Sequence, residues 1–327
     1  MIDRRSLLAG TAAVSATALL PFSVARAATP VRIASVKFGS LGWLLETIRA
    51  EGLDVKHGVN FEVIEIANNP SGPIALLGGG ADVIVSDWTW AMRQRSVGEK
   101  LKFTPYSSAL GSLVVPHDSP VKCLADLKGK KLGVAGSSID KSWLLLRAYA
   151  KKNLGTDLSE LCDASFGAAP LLNEEIKSGR IDAVLNFWTF AARLTGSGFR
   201  PVLTMAEVLS TLGVSPVPAL VGFVWKEGYE AEHGAELAAL MKAAKDGNQL
   251  LASSDTPWQR LKPMMKTGSD GEFAALMAGY RSGIPAGWSD AETKSAEKFM
   301  NILVEAGDQE LVGHGTKFDA NLFHAAS

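Results

Sequence analysis

Residues 81–93, ADVIVSDWTWAMR, return one hundred positions later as residues 181–193, IDAVLNFWTFAAR. Asp82 matches Asp182, Trp88 matches Trp188, Thr89 matches Thr189, Ala91 matches Ala191 and Arg93 matches Arg193, with an apolar triplet at 83–85 and again at 183–185. At the same offset Trp43-Leu44-Leu45 matches Trp143-Leu144-Leu145. A chain that carries one supersecondary plan twice, and no more than twice, is expected to build two similar units rather than a solenoid.

Each copy reads in the same order. In the first, Val31 to Val36 is a strand, Gly39 to Gly42 a turn, Trp43 to Glu51 a helix and Phe61 to Ile66 the next strand. A loop of Asn, Pro and Gly at 68–73 leads into a helix from Ile74, closed by Gly78-Gly79-Gly80 before the strand Asp82 to Val85. The second copy runs through strand Lys131 to Ala135, helix Ile139 to Asn153, strand Ala164 to Phe166, helix Leu171 to Ser178 and strand Ile181 to Leu185. Strands alternating with helices predict parallel sheets, so the fold class is α/β with two parallel-sheet lobes.

Ser112 to Pro116 and Ala219 to Trp225 are β-like runs flanking the second copy, with Pro116, Pro120, Pro216 and Pro218 nearby, so the chain is expected to cross between lobes twice. Lobe 1 is then discontinuous, 28–112 plus 219–327, and lobe 2 is 113–218. Glu236 to Ala252, Pro257 to Met265, Asp270 to Gly279 and Asp290 to Ala306 space their apolar residues by three and four, which predicts helices packing on lobe 1. Ser289-Asp290 fits the N-terminal cap of the last one.

The first 27 residues read as a signal peptide. Arg4 and Arg5 form a charged start, Leu7 to Phe22 a mildly apolar stretch, and Ala25-Arg26-Ala27 a small-x-small cleavage site. The apolar stretch is shorter than the ~20 residues that span a bilayer, which weighs against the alternative of an uncleaved anchor. Asp3-Arg4-Arg5-Ser6-Leu7-Leu8 resembles a twin-arginine signal, which implies export of a folded chain. No later segment approaches 18 uninterrupted apolar residues. The expected location is periplasmic.

Composition narrows the function. With 33 basic against 34 acidic side chains there is no positive excess to neutralise phosphates, so no nucleic acid is expected as partner. The five histidines lie far apart and none makes a His-x3-His spacing, nor do the two cysteines make Cys-x2-Cys, so no metal and no cofactor is expected. Cys123 and Cys162 fall in the same half of the molecule, which permits a bridge without demonstrating one. There is no Gly-x-Ser-x-Gly elbow and no Gly-x4-Gly-Lys-Ser/Thr loop. Gly78-Gly79-Gly80 follows a helix and precedes a strand, which makes it a helix stop rather than a phosphate loop.

What remains is a set of polar and aromatic residues at the C-terminal ends of the strands, where ligands of open parallel sheets sit. Gly39, Ser40, Leu41, Gly42 and Trp43 follow the first strand, Asn68 and Asn69 the second, and Ser86, Asp87, Trp88 and Thr89 the third. The second copy presents Ser137, Ser138 and Asp140, then Asn186, Phe187 and Trp188. Two such edges facing each other form a cleft. Trp88 and Trp188 each start a helix, where ligand contact and plain helix packing are both open; Trp143 is assigned to packing. Asp82 and Asp182 are expected to hold turns. Asp87 has Phe187 as its counterpart, and a carboxylate there favours a cationic group or an N–H donor, or pairs with Arg93 or Lys102.

VRIASVKFGSLGW at 31–43, IALLGGGADVIVSDW at 74–88, DLKGKKLGVAGSS at 126–138 and EEIKSGRIDAVLNFW at 174–188 resemble periplasmic solute-binding proteins of ABC transporters. The likeness is to the nitrate/sulfonate/taurine group with its sulfonate-binding or thiamine-pyrimidine-precursor-like domain. It implies a periplasmic binding protein type II-like fold with a ligand cleft between two lobes. It also implies a monomer that captures a small-molecule solute by hinge closure and delivers it to an ABC permease and its ATPase. Relatives that bind oxyanions use hydroxyls and backbone N–H groups of turns matching Gly39 to Gly42 and Ser137 to Ser138. Asp87 and the scarcity of Arg and Lys in these turns depart from that pattern and favour a small organic solute with an aromatic or apolar part. The alternatives are a ligand-presenting protein for a periplasmic sensor or enzyme, and an enzyme like the thiamine-pyrimidine synthase, which depends on a Cys-rich motif that this chain lacks. No catalytic residue is expected.

Overall fold

The computed structural model describes residues 30–37, 39–306, 313 and 316–324; the signal-peptide expectation lies outside them. In the first copy the chain forms β1 (Val31–Val36), α1 (Ser40–Ala50), α2 (Leu53–His57), β2 (Phe61–Ile66), α3 (Ser71–Leu77), β3 (Val83–Asp87) and α4 (Trp88–Ser96). β4 (Leu101–Ser107) and β5 (Ser112–Val115) lead into the second copy. That copy comprises β6 (Lys131–Ala135), α5 (Lys141–Leu154), α6 (Leu158–Leu161), β7 (Asp163–Gly167), α7 (Ala169–Lys177), β8 (Ala183–Asn186) and α8 (Trp188–Gly196). Then come β9 (Arg200–Thr204), α9 (Met205–Thr211) and β10 (Val221–Lys226), and four helices: α10 (Glu227–Ser253), α11 (Thr256–Met265), α12 (Asp270–Ser282) and α13 (Asp290–Glu305).

The strands assemble into two five-stranded sheets, in the orders β2-β1-β3-β10-β4 and β7-β6-β8-β5-β9. The repeat thus becomes two lobes of one plan. Each sheet is parallel only over its first three strands; β10 is antiparallel to β3 and β4, and β5 to β8 and β9. The reason lies in where the chain changes sheets. Val221 pairs with Asp87 and Ser112 with Asn186, so both crossings deliver the chain to the C-terminal edge of the parallel strands. A strand that begins at that edge must run away from it, and is therefore antiparallel.

β4 and β9, which the sequence reading did not identify as strands, occupy edges and carry Pro105 and Pro201. Proline lacks the N–H that a central strand needs, so an edge is where such a strand survives. Both contain a bulge: between Val221 and Gly222 the register on β4 skips Tyr106, and between Leu113 and Val114 the register on β9 skips Val202.

Local signals account for much of the rest. Asp82 accepts the Arg32 backbone N–H at 2.8 Å, and Asp182 accepts that of Lys131 at 2.8 Å, so the two repeated aspartates tie the start of one strand to its neighbour rather than only holding turns. Gly79, φ +74°, takes the left-handed conformation that stops α3. Ser289 caps α13 within a capping box completed by Glu292.

The four C-terminal helices divide their packing. α10 lies on α1 and α2 of lobe 1, as expected. α12 packs on α8 and α13 on α5, both in lobe 2, while Tyr280 of α12 also meets Trp43 and Phe299 of α13 meets Trp88 of lobe 1, so the expected packing on lobe 1 is only half of what these two helices do. One buried apolar cluster consequently runs from Ile84 and Trp88 through Phe299 and Leu303 to Leu144 and Leu146. Helical spacing shows which face is apolar but not which lobe covers it.

Candidate interlobe site

Four helix N-termini converge where the parallel strands of the two sheets end. Asp87 caps α4, its carboxylate accepting the Trp90 backbone N–H at 2.8 Å and the Thr89 hydroxyl. Asp140 caps α5, accepting from Ser142 N at 2.9 Å and Trp143 N at 3.4 Å. At α1 the cap is Gly39 and at α8 it is Phe187, neither with a side-chain bond to the helix end. Two of the four ends thus leave backbone N–H groups without a side-chain cap, with the dipole favouring negative charge there.

Two pairs cross between the lobes. Lys141 Nζ lies 3.3 Å from Asp87 Oδ1, and the rings of Trp43 and Trp188 meet edge to face at 6.2 Å. The site therefore has a charged end and an apolar end. Burial pushes the Asp87 carboxyl up, but Lys141, the Thr89 hydroxyl and the Trp90 N–H outweigh it and hold the net value below that of an ordinary aspartate. Asp140 goes the other way: burial dominates over Lys141 and the capping N–H groups, and its carboxyl is raised.

A hydroxyl ladder supports the α1 end. Tyr106, the residue the bulge leaves out of register, donates to Ser40 Oγ at 3.1 Å, as bulges re-aim side chains. Burial pushes the Tyr106 phenol up to about 12, so it stays a donor and leaves the Ser40 proton free for another acceptor. Tyr280, also raised by burial, packs on Trp43 at 6.0 Å and donates to Asn248 Oδ1 at 2.7 Å.

The sequence-derived candidates separate into three groups. Ser40, Asp87, Asp140 and Trp188 are partly accessible and lie at these contacts, with Gly39, Gly42 and Ser86 beside them. Ser137, Ser138 and Phe187 are exposed at the lobe 2 rim. Asn68 and Asn69 are exposed too, but Asn68 spends its oxygen on Ser71 at the start of α3. The third group is internal. Trp88 is 0% exposed, wedged against Phe299 at 5.5 Å and Phe323 at 5.9 Å, so the packing alternative describes it. Leu41, Trp43 and Thr89 are buried. Asn186 is also buried, and it uses its amide on Ala169 O, Asn173 Oδ1 and the Phe187 N–H. A residue in that position stiffens the loop, with both amide N–H groups committed and the side chain buried.

Lys141, Tyr106 and Tyr280 belong to the site and were not among the candidates. Lys141 follows the cap Asp140 directly, so its place in the first helical turn was open to inference. Tyr106 was hidden because its strand was. Asp87 pairs with Lys141, not with Lys102, which bonds Asn321 O at 2.8 Å and approaches Glu227 at 3.8 Å.

The lobes are held in register on one side by α8 and α12. A Cβ on Gly196 would stand 2.5 Å from Gly271 O, and one on Gly279 3.1 Å from the Trp188 ring, so the helices touch almost backbone to backbone. Arg193 latches this contact, donating to Met265 O at 2.7 Å and lying 3.3 Å from Glu272. Among the described residues no three His, Cys, Asp or Glu gather closely enough to hold a metal, and no helix is long and apolar enough to cross a membrane.

Residues 49–255, well over half of the chain, match the family described as "NMT1/THI5 like". No curated protein matches the sequence. Among solved structures, the periplasmic aliphatic sulphonate binding protein SsuA of Escherichia coli superposes with a TM-score of 0.69 at 16% identity, covering 90% of this chain and 92% of that one. The alkanesulfonate-binding protein SsuA of Xanthomonas axonopodis pv. citri, bound to MOPS, gives 0.68 at 17% identity, over 90% and 98%. The desulfurization enzyme DSZB gives 0.62 at 15%, over 89% and 95%. At these identities the likeness is one of fold, and that fold hosts both binding proteins and an enzyme.

Proposed function

The chain belongs to the NMT1/THI5-like family, and from that premise we propose that it is the periplasmic substrate-binding component of an ABC importer. It captures a small organic solute between its lobes, closes on it by hinge motion, and presents it to a membrane permease driven by an ATPase. It works as an exported monomer, with residues 1–27 as a twin-arginine-type signal.

The observation that carries this reading is the pair of cross-lobe contacts, Asp87–Lys141 and Trp43–Trp188. Neither can form unless the lobes are together, so each makes closure sensitive to what lies between them. The solute's polar part faces Ser40, Lys141 and the uncapped ends of α1 and α8; its apolar part faces Trp188 and Phe187. Asp87 and Asp140 add negative charge around Lys141, which disfavours small inorganic anions.

Binding rather than catalysis is supported by the placement of the two thiols. Cys123 and Cys162 precede β6 and β7, at the end of the second sheet away from the cleft, and both are free. No thiol nucleophile stands in the cleft.

The test is a thermal-shift screen against sulfonates, nitrate, carboxylates, pyrimidines and aromatic amines. A ligand at ~100 times its Kd stabilises by about 2.7 kcal/mol. A hit in one organic class, lost in Lys141→Ala and Trp188→Ala, is expected. A hit that survives both substitutions overturns the cleft assignment, and a hit with nitrate alone overturns the organic solute.

A further inference from the structure

A cavity lies on lobe 1, next to the residues that support the interlobe site: its lining residue Asn248 accepts the Tyr280 hydroxyl, and Phe223 packs on Tyr106 at 5.4 Å. Its volume is about 470 Å³, within the ~300–1,000 Å³ typical of small-molecule sites. Phe223 and Trp225 of β10 form its floor. Gly234, Leu237 and Met241, spaced by three and four on α10, form one wall, and Ile284, Pro285 and Trp288 the other. Pocket walls so dominated by carbon favour an apolar guest.

The polar groups are unevenly placed. At one end Glu230 is already engaged on both oxygens, by Trp225 Nε1 at 2.9 Å and by His324 Nε2 at 3.1 Å. Along the mouth Lys242 and Lys245, one helical turn apart, are exposed and form no ion pair among the described residues. The pocket thus pairs an apolar interior with an uncommitted positive rim.

We propose that this cavity binds a single-chain amphiphile with an anionic head, its chain laid along Met241, Ile284 and Trp288 over the β10 floor and its head at Lys242 and Lys245. Lining and charge argue together: an uncharged guest leaves the lysines unused, and a fully hydrophilic anion leaves the partly exposed Met241, Ile284 and Trp288 facing water. The guest is a soluble single-chain carboxylate rather than a two-chain bilayer lipid, since about 470 Å³ has room for one medium-length chain and not for two.

Sodium decanoate, titrated calorimetrically into the full chain below its aggregation threshold, tests this. One saturable site per chain is expected. Lys242→Glu with Lys245→Glu is expected to weaken it at least tenfold, and Ala238→Trp, which fills the cavity from an exposed helical position, to abolish it. Gly234→Leu offers a second filling variant, because a Cβ there meets no atom within 4 Å. Trp188→Ala is expected to leave decanoate binding unchanged, which separates this site from the interlobe one. The proposal is overturned by absence of saturable binding, by binding unaltered in folded Ala238→Trp and Gly234→Leu, by loss in Trp188→Ala, or by decanol binding as tightly as decanoate.

Discussion

Asp87 at the end of β3 and Lys141 at the start of α5 join the two lobes across 3.3 Å. Their side chains are 27% and 23% exposed, intermediate between a surface pair and a buried one. In the repeat the position of Asp87 is taken in the second lobe by Phe187. The two copies have therefore diverged at the position where one lobe offers a carboxylate and the other an aromatic ring.

Lys141→Ala leaves the Asp87 carboxylate with two short-range donors and the weaker pull of Arg93, and is expected to cost about 1–2 kcal/mol at neutral pH. Asp87 is held below its ordinary value of 3.8, so its contribution is present above that value and is lost as pH falls through the lower folded value. Denaturant titrations of the wild type and Asp87→Asn should accordingly differ at pH 7 and converge in strong acid. A difference that grows on acidification contradicts the assignment.

Trp88→Ala and Trp188→Ala, equivalent in the repeat, are expected to behave differently. Trp88 is fully buried beneath Phe299 and Phe323, so its truncation should remove about 3–5 kcal/mol of stability. Trp188 is half-buried at the lobe junction, and its truncation should lower ligand affinity with a smaller loss of stability. Equilibrium unfolding paired with ligand titration separates them; equal effects on both readouts count against the split.

Gly196→Ala and Gly271→Ala each place a methyl within 2.6 Å of the facing backbone, where neither helix has a side chain to move aside. Each should force α8 and α12 apart at a cost of about 1–3 kcal/mol. Small-angle scattering should show a more open particle, whereas an unchanged particle of unchanged stability argues against this contact. Gly228→Ala, in open space, is the matching control.

Cys123 is exposed while Cys162 is buried, and burial, assisted by Asp163, pushes the Cys162 thiol up to about 11. At pH 8 a thiol reagent is expected to modify one cysteine per chain promptly and the second only on unfolding. Prompt reaction of both, or of neither, rejects these environments.

Two lobes of one α/β plan were legible because strand and helix periods, and the repeat itself, are local properties of the chain. The cap at Ser289 and the stop at Gly79 were legible for the same reason. The edge strands β4 and β9 were not, since Pro105 and Pro201 break the strand signal, and only pairing with β10 and β5 makes extended chain there stable. Of the candidates chosen from their place at strand ends, Ser40, Asp87, Asp140 and Trp188 lie at the lobe junction, while Trp88 and Asn186 occupy the same kind of place and turn inward.

The sequence by itself determined that there are two copies, which segments inside each copy are strands and helices, and which ends carry polar residues. Tertiary structure alone decided that Lys141 meets Asp87, that α12 and α13 bridge the two lobes, and that one repeated tryptophan is core while its twin sits at the junction. The physical reason is range. Backbone propensity and side-chain period act over a few residues, whereas burial and ion pairing depend on what another segment, fifty or two hundred positions away, brings into contact.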